Sequence, residues 1–268
     1  MASFAERVTR RFLPDAAESE FLANLEANLT RMHRGELIAR EGDPSHHAFV
    51  LKTGWAMSFT RFPDGLVQVR RLHFPGDLLA MPSLAMRHHA EDIEALSACA
   101  IATFPKSALA EVFHLPRLAA VLYMFAQAER VTLGDRLASL GHNRGKARIA
   151  FLLIDILRRL RSADPSVGCS FDMHLTREQI GHVTGMTSVH ASRMWSGLMS
   201  QGLIGYSGHT VTIHDEERLA QLADYRDRDG DFDFDWLRNV EAVSANDPAT
   251  QSGGKQRDGK KPGSSSGD

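Results

Sequence analysis

The stretch from Leu175 to Ile204 is the most informative part of the chain, because it carries groups able to hold a polyanion. It has hydroxyls at Thr176, Thr187, Ser188 and Ser192, imidazoles at His182 and His190, and guanidiniums at Arg177 and Arg193. Hydroxyls and helix N-terminal N–H groups suit phosphate oxygens, whereas an arginine offers two parallel donors to guanine O6 and N7. The spacing suggests how these groups are presented. Thr176 and Gln179 stand three apart, as in a capping box, and Leu175 and Ile180 flank them as a hydrophobic staple. Gly185 suits a left-handed helix stop, and Thr187 can cap a second helix. Two short helices joined by a tight glycine turn make a helix-turn-helix, the motif that lays its second helix in a major groove. Leu203–Tyr206, the Ser207-Gly208 turn and Thr210–Ile213 add a two-stranded wing. At about 100° per residue from Ser188, Ala191, Trp195 and Leu198 share one inward sector. Arg193 falls nearly opposite, with Val189 and Ser196 beside it and His190 beyond. Arg193 is therefore the expected base reader, with His190 on a neighbouring base and Val189 against a thymine methyl. Thr187 and Ser192 suit phosphates, and Thr176 and Ser188 complete the DNA-facing set.

Other reactive residues form no such pattern. His46-His47 and His88-His89 are adjacent pairs, and neighbours on a strand point apart, so each pair offers one ligand; no metal site is assigned. Cys99 and Cys169 cannot build a disulfide framework or a four-thiolate centre. Walker, GxSxG, HExxH and dinucleotide signatures are missing, and His33, Asp43 and His73 are scattered, so the chain reads as a non-enzyme without a cofactor. Residues 141–161 hold six basic side chains (Arg144, Lys146, Arg148, Arg158, Arg159, Arg161) against Asp155. That is a modest supply for neutralising phosphates. His174, His182, His190 and His209 can add charge at lower pH.

The elements that must position these groups follow from periodicity. The 268 residues are 43% hydrophobic and 24% charged, with 31 basic against 33 acidic residues, so no global field draws the chain to nucleic acid or membrane. Residues 1–112 read as a short helical cover followed by strands punctuated by Gly35, Gly42, Gly54, Asp64-Gly65 and Gly76, an antiparallel β-roll of cupin-like form. Residues 113–141 switch to helical spacing with two apolar stripes. One stripe is expected to cover the roll and the other to meet a second subunit, with Leu118, Val121, Leu122, Phe125 and Ala128 as the dimerisation set. Residues 142–225 hold a helix over 146–161 and the winged helix-turn-helix. Residues 226–268 form a polar tail expected to be disordered. Within it, Asp231–Trp236 reads as a solvated acidic stretch, with docking to RNA polymerase as its alternative role. The overall class is α+β. Cysteine usage, a start without an apolar signal core, and the lack of any membrane-length apolar run give the cytoplasm as the expected compartment.

Taken in order, Gly35…Glu41-Gly42-Asp43, Phe74-Pro75-Gly76-Asp77, the long helix, and Leu175-Thr-Arg-Glu-Gln-Ile…Gly185-Met-Thr…Ser192-Arg193…Gly202-Leu-Ile resemble the Crp/Fnr transcription regulators over residues 15–225. The resemblance implies a cyclic-nucleotide-binding-like sensor roll, a dimerisation helix and a winged helix that reads a palindrome in double-stranded DNA as a homodimer. The Thr187-x-Val189-His190-x-x-Arg193 pattern resembles a subgroup. Better-known members carry glutamate where Val189 stands, so their base preference does not transfer. Cyclic AMP binders of the family present Gly-Glu to the ribose and Arg-Ser/Thr to the phosphate. The matching positions here are Ala80-Met81 and His89-Ala90, which argues against cyclic AMP. The family's oxygen sensors hold an iron–sulfur cluster on four cysteines, most of them near the N-terminus, and no cysteine precedes Cys99 here. His89 reads as a surface residue, and the signal is left unassigned. The competing reading is a ligand- or protein-binding signalling module whose winged helix no longer reads DNA.

Overall fold

The computed structural model describes residues 3–228 and 231–233. The chain opens with α1 (Phe4–Thr9) and α2 (Ala16–Leu25), each started by a capping box, Ser3 with Glu6 and Asp15 with Glu18. Phe4, Val8, Leu22 and Leu25 bury their side chains against one side of the roll.

The roll is built from β1 (Leu29–Met32), β2 (Leu37–Ala39), β3 (His47–Thr53), β4 (Ala56–Arg61), β5 (Val67–His73), β6 (Leu78–Leu79), β7 (Asp92–Ala95) and β8 (Cys99–Pro105). They form two four-stranded antiparallel sheets, ordered β1-β8-β3-β6 and β2-β7-β4-β5. The β4–β5 hairpin turns at Asp64-Gly65, with Gly65 at φ 84°, as its sequence predicts. Gly54, between β3 and β4, has φ 82°, and a Cβ there would run into the Ala98 carbonyl and the Cys99 sulfur, so glycine is required.

A 3-10 segment over Lys106–His114 leads into α3 (Pro116–His142). α4 (Lys146–Ala163), β9 (Ser170–Asp172), α5 (Arg177–Thr184), α6 (Ser188–Ser200), β10 (Ile204–Ser207), β11 (Thr210–Ile213) and α7 (Glu216–Ala223) follow. The wing has three strands, in the order β10-β11-β9, where the sequence suggested two. β9 is only three residues long, and its alternation places the single apolar residue Phe171 inward between two exposed neighbours. Among the described residues no helix is long and apolar enough to cross a membrane. The polar tail from 234 onward, Trp236 included, lies outside the described residues.

β4 reads as an alternating half-buried strand, yet Ala56, Met57, Ser58 and Phe59 are all buried. Ser58 bonds to His73, while Met57 and Phe59 join Trp55, Leu72 and Phe74 in one continuous core with α4, α5 and α6. The roll is thus docked on the winged domain through an apolar face. Gln68 on β5 adds a polar tie, its Nε2 donating to the His182 carbonyl at 2.9 Å.

α3 departs from the expectation for its stripes. Leu118 and Val121 are completely buried in the chain's own roll, beside Phe4, Leu22, Val50 and Phe104, and Leu122 and Phe125 pack on the same cluster. Ala128 lies on the wall facing α4. Leu118 and Val121 therefore face inward within one chain, and Leu122, Phe125 and Ala128 are half-buried beside them. The apolar residues left in solvent are Tyr123 (63% exposed), Val131, Leu133 and Leu137 (72% exposed). Periodicity shows that a helix has two apolar faces, but it does not label which face meets its own domain.

Candidate nucleic-acid interface

The helix-turn-helix forms as its residues dictate. The Thr176 hydroxyl accepts from the Gln179 N–H at 3.1 Å, and the Gln179 side chain returns a bond to the Thr176 N–H at 2.9 Å. Gly185 closes α5 in the left-handed region at φ 64°. Thr187 caps α6, its Oγ1 accepting from the His190 N–H. Gly181 brings the turn close, because a Cβ there would meet the Met186 carbonyl.

α6 presents two distinct faces. Ala191, Trp195 and Leu198 are at most 1% exposed and form the winged domain's core. Thr187, Ser188, Val189 and Arg193 are exposed, and His190 and Ser192 are half-buried at the edges of that face. Val189 is 68% exposed, an unfavourable position for a free valine and a natural one against a thymine methyl. Thr176 lies at the start of α5, exposed and occupied as a cap. The Arg193 side chain has no ion pair among the described contacts, so its guanidinium is available to a base edge.

Arg177 has a different role. Its guanidinium lies 3.9 Å from the Trp195 ring centroid and 5.0 Å from that of Tyr206, which fixes α5 to α6 and the wing. Burial lowers its pKa, with the phenol of Tyr206 opposing. The basic set of residues 141–161 is also largely committed within the chain. Arg148 donates to the carbonyls of Leu140, Asn143 and Thr184, clamping the end of α3 to the end of α5. Arg159 pairs with Asp77, and Arg158 and Arg161 with Glu216. Arg144 and Lys146 stay beside α6. Lys146 crosses α6 at Gly197, where any larger residue would meet its side chain. Arg144, Arg148, Thr187 and His190 line an open groove at the N-terminus of α6, where helix N–H groups favour a phosphate.

The sequence did not reveal the polar hub that joins the two halves. Asp77, 3% exposed at its side chain, receives Arg7 from α1 and Arg159 from α4, with Arg71 from β5 at 3.5 Å. Its Oδ2 also accepts the Phe74 N–H at 3.0 Å. Burial alone would raise this carboxyl's pKa, but Arg71, Arg159 and Arg7 outweigh it and hold the pKa well below the usual carboxylate range. Arg71 falls to about 9, mainly from burial, with Asp77 opposing and Arg159, Arg7 and Arg136 adding to the drop. The only sequence signal was the aspartate closing the Phe74-Pro-Gly turn just after the arginine pair of β5.

The segment matching the family's nucleotide-binding cassette is tied to the protein itself. Ala80 adopts φ 61°, and Met81 starts a 3-10 turn. The His89 N–H donates to the Asp43 carbonyl at 2.8 Å, and the Ala90 N–H to Ser83 Oγ at 3.1 Å. His89 is 8% exposed, not a surface residue, and its Nδ1 is buried without a partner among the described residues. Burial lowers its pKa, against Asp43. Neither a carboxylate for a ribose nor a guanidinium for a cyclic phosphate stands at these positions. Each missing charged partner is worth about 1.5–3 kcal/mol. Titration calorimetry with cyclic AMP and cyclic GMP is expected to show no micromolar binding; such binding of either would overturn this reading.

Ser58 Oγ and His73 Nε2 meet at 2.6 Å, but both residues are buried, so a substrate reaches them only if the roll opens. The two thiols stand 70 residues apart in the chain. Cys99 is buried on β8 with its Sγ–H directed to the Trp55 carbonyl, and Cys169 is exposed in the winged domain. This donor set does not fit a four-thiolate cluster. Among the described residues no group of three or more His, Cys, Asp or Glu side chains is placed to hold a metal.

A β-roll fused through a long helix to a winged helix-turn-helix with an exposed α6 face is the architecture of a DNA-binding transcription regulator. The cyclic nucleotide-binding domain family matches residues 29–114, and the Crp-like helix-turn-helix domain family matches residues 147–222. With both domains present in this order, the chain belongs to the Crp/Fnr family of transcription regulators. It is 24% identical over 209 residues to the fumarate and nitrate reduction regulatory protein of Escherichia coli (strain K12), covering 77% of this chain and 82% of that one. The fold is shared with FixK2 from Bradyrhizobium japonicum, at 24% identity and TM-score 0.67, over 75% of this chain and 98% of that one. It is shared also with CLP of Xanthomonas campestris, a c-di-GMP-responsive global regulator, at 16% identity and TM-score 0.59, over 75% of this chain and all of that one.

Proposed function

We propose that the chain acts in the cytoplasm as a homodimer that reads a palindromic operator, with two α6 helices in successive major grooves about 34 Å apart. The roll relays a signal other than a cyclic mononucleotide, and the complex engages RNA polymerase. The observation that supports operator reading best is the bare α6 face, with Arg193 central and Val189 beside it, opposite a fully packed one. Arg193 reads guanine, His190 and Val189 read neighbouring positions, and Thr187, Ser188, Ser192 and Thr176 hold the backbone.

Arg193→Ala, measured against single-base variants of a selected operator, is expected to lose about 1–3 kcal/mol on the native site. It should also flatten discrimination at one position per half-site. An equal loss on every sequence, with a shallower salt slope, would make Arg193 a phosphate contact instead. The withdrawal of Arg148, Arg158, Arg159 and Arg161 into the fold favours one rival, a signalling module that has lost DNA reading. Binding to duplex DNA that weakens steeply with salt excludes that rival.

A further inference from the structure

A cavity of about 170 Å³ lies between the roll, α3 and α4, lined on one side by α1 and by residues 225–228. Its apolar wall includes the rings of Phe74, Phe125 and Phe151. Its polar wall includes Arg71, Arg158 and Arg159. We infer that this cavity is a binding site for a small amphipathic monocarboxylate, its apolar body among the rings and its carboxylate on the arginines.

Three observations point to this class of ligand. Volume is the first: an apolar cavity of about 150 Å³ takes up benzene, so this one holds a single ring or an aliphatic body of similar size. A nucleoside is too large. Charge is the second. Among the described lining residues there are seven arginines and five carboxylates, and Glu216 just outside them pairs with Arg158 and Arg161, so the wall keeps a small positive excess. Arg71 reaches Asp77 only at 3.5 Å and shares Glu129; burial is the main cause of its lowered pKa, Asp77 opposes it, and Arg159, Arg7 and Arg136 add to it. The third is an open donor. Arg158 Nε is buried without a hydrogen-bond partner among the described residues, although its terminal nitrogens meet Glu216 and Asp227. Guanidinium donors match the planar geometry of a carboxylate, and one negative charge relieves the excess without reversing it.

The walls belong to the roll, α3 and α4, which join the sensor half to the winged half. An occupant that binds the DNA-bound arrangement of these walls better than the free one couples to operator affinity, by the same factor in both directions. The binding claim stands on the cavity; only its regulatory meaning rests on the function proposed above.

The test uses the full chain and titration calorimetry with benzoate, its neutral isostere benzamide, and acetate. Benzoate is expected to bind at least tenfold more tightly than either control. Ala128→Phe, which directs a ring into the cavity, should abolish binding with the thermal transition retained. If that variant misfolds, Arg158→Met should weaken benzoate at least tenfold and leave benzamide unchanged. Benzamide binding as well as benzoate, no saturable benzoate binding, or benzoate binding indifferent to the variant that folds would each overturn the site. Operator affinity measured with and without saturating benzoate is expected to differ; equal affinities would overturn the effector role and leave the site standing.

Discussion

Asp77→Asn is expected to lower the unfolding free energy by about 3–5 kcal/mol, the usual result of removing one partner from a buried ionic cluster. The exchange keeps the side chain's shape and an oxygen for the Phe74 N–H, so packing and the turn survive. What is lost is the single negative charge on which Arg7 and Arg159 converge, with Arg71 nearby. Arg71 and Arg159 are largely removed from water, with side-chain exposures of 13% and 17%, and hydration cannot replace the carboxylate. The pH dependence gives a second reading. Asp77 has a pKa below its unfolded value, so its contribution is complete above the unfolded carboxylate pKa near 3.9 and fades as pH falls toward the folded one. The stability difference between wild type and Asp77→Asn should stay flat from neutrality to about pH 4 and narrow only below it. Denaturant midpoints across that range check both claims; a loss under about 1 kcal/mol would show that the hub is dispensable. Because Asp77 joins α1, β5 and α4, the variant should also expose the roll–wing junction to proteolysis before either part unfolds.

The helix-turn-helix was legible because its signals are local. Capping box, staple, left-handed glycine and second cap act within a few residues of one another, and the inward set of Ala191, Trp195 and Leu198 follows from helical geometry alone. The roll's hairpins were legible for the same reason. What escaped depends on partners distant in sequence. Asp77 meets Arg7 and Arg159 from 70 and 82 residues away, and no local pattern announces that. The basic residues of α4 looked like phosphate contacts, but the fold spends them on Asp77 and Glu216. β4 showed its alternation, yet both its faces are covered, one of them by the winged domain. His89 reads as a surface residue in the sequence, whereas a loop closed by Asp43 and Ser83 buries it.

The correction to α3 changes how dimerisation must be tested. Leu118→Asp or Val121→Asp would place a charge in the roll's own core, and any loss of DNA binding would report misfolding. Leu133, 40% exposed at the edge of the cavity, and Leu137, 72% exposed, stand one turn apart, and Tyr123 lies two heptads before Leu137 with Arg130 midway. Gly134 and Ala138 lie beside this row and are small enough for a second helix to approach closely there. An exposed seam of this kind is costly in a monomer and matches a symmetric copy of itself across a two-fold axis. The double variant Leu133→Asp with Leu137→Asp is expected to sediment as a monomer while its thermal transition and far-ultraviolet spectrum match a folded roll and wing. Operator affinity should fall by about 10²–10⁴, because binding at the second half-site ceases to be intramolecular. Binding to an isolated half-site should stay within a few-fold of wild type, since α6 is untouched. A double variant that remains dimeric would place the subunit contact elsewhere on the chain. A monomer that holds full operator affinity would remove dimerisation from the reading of the palindrome.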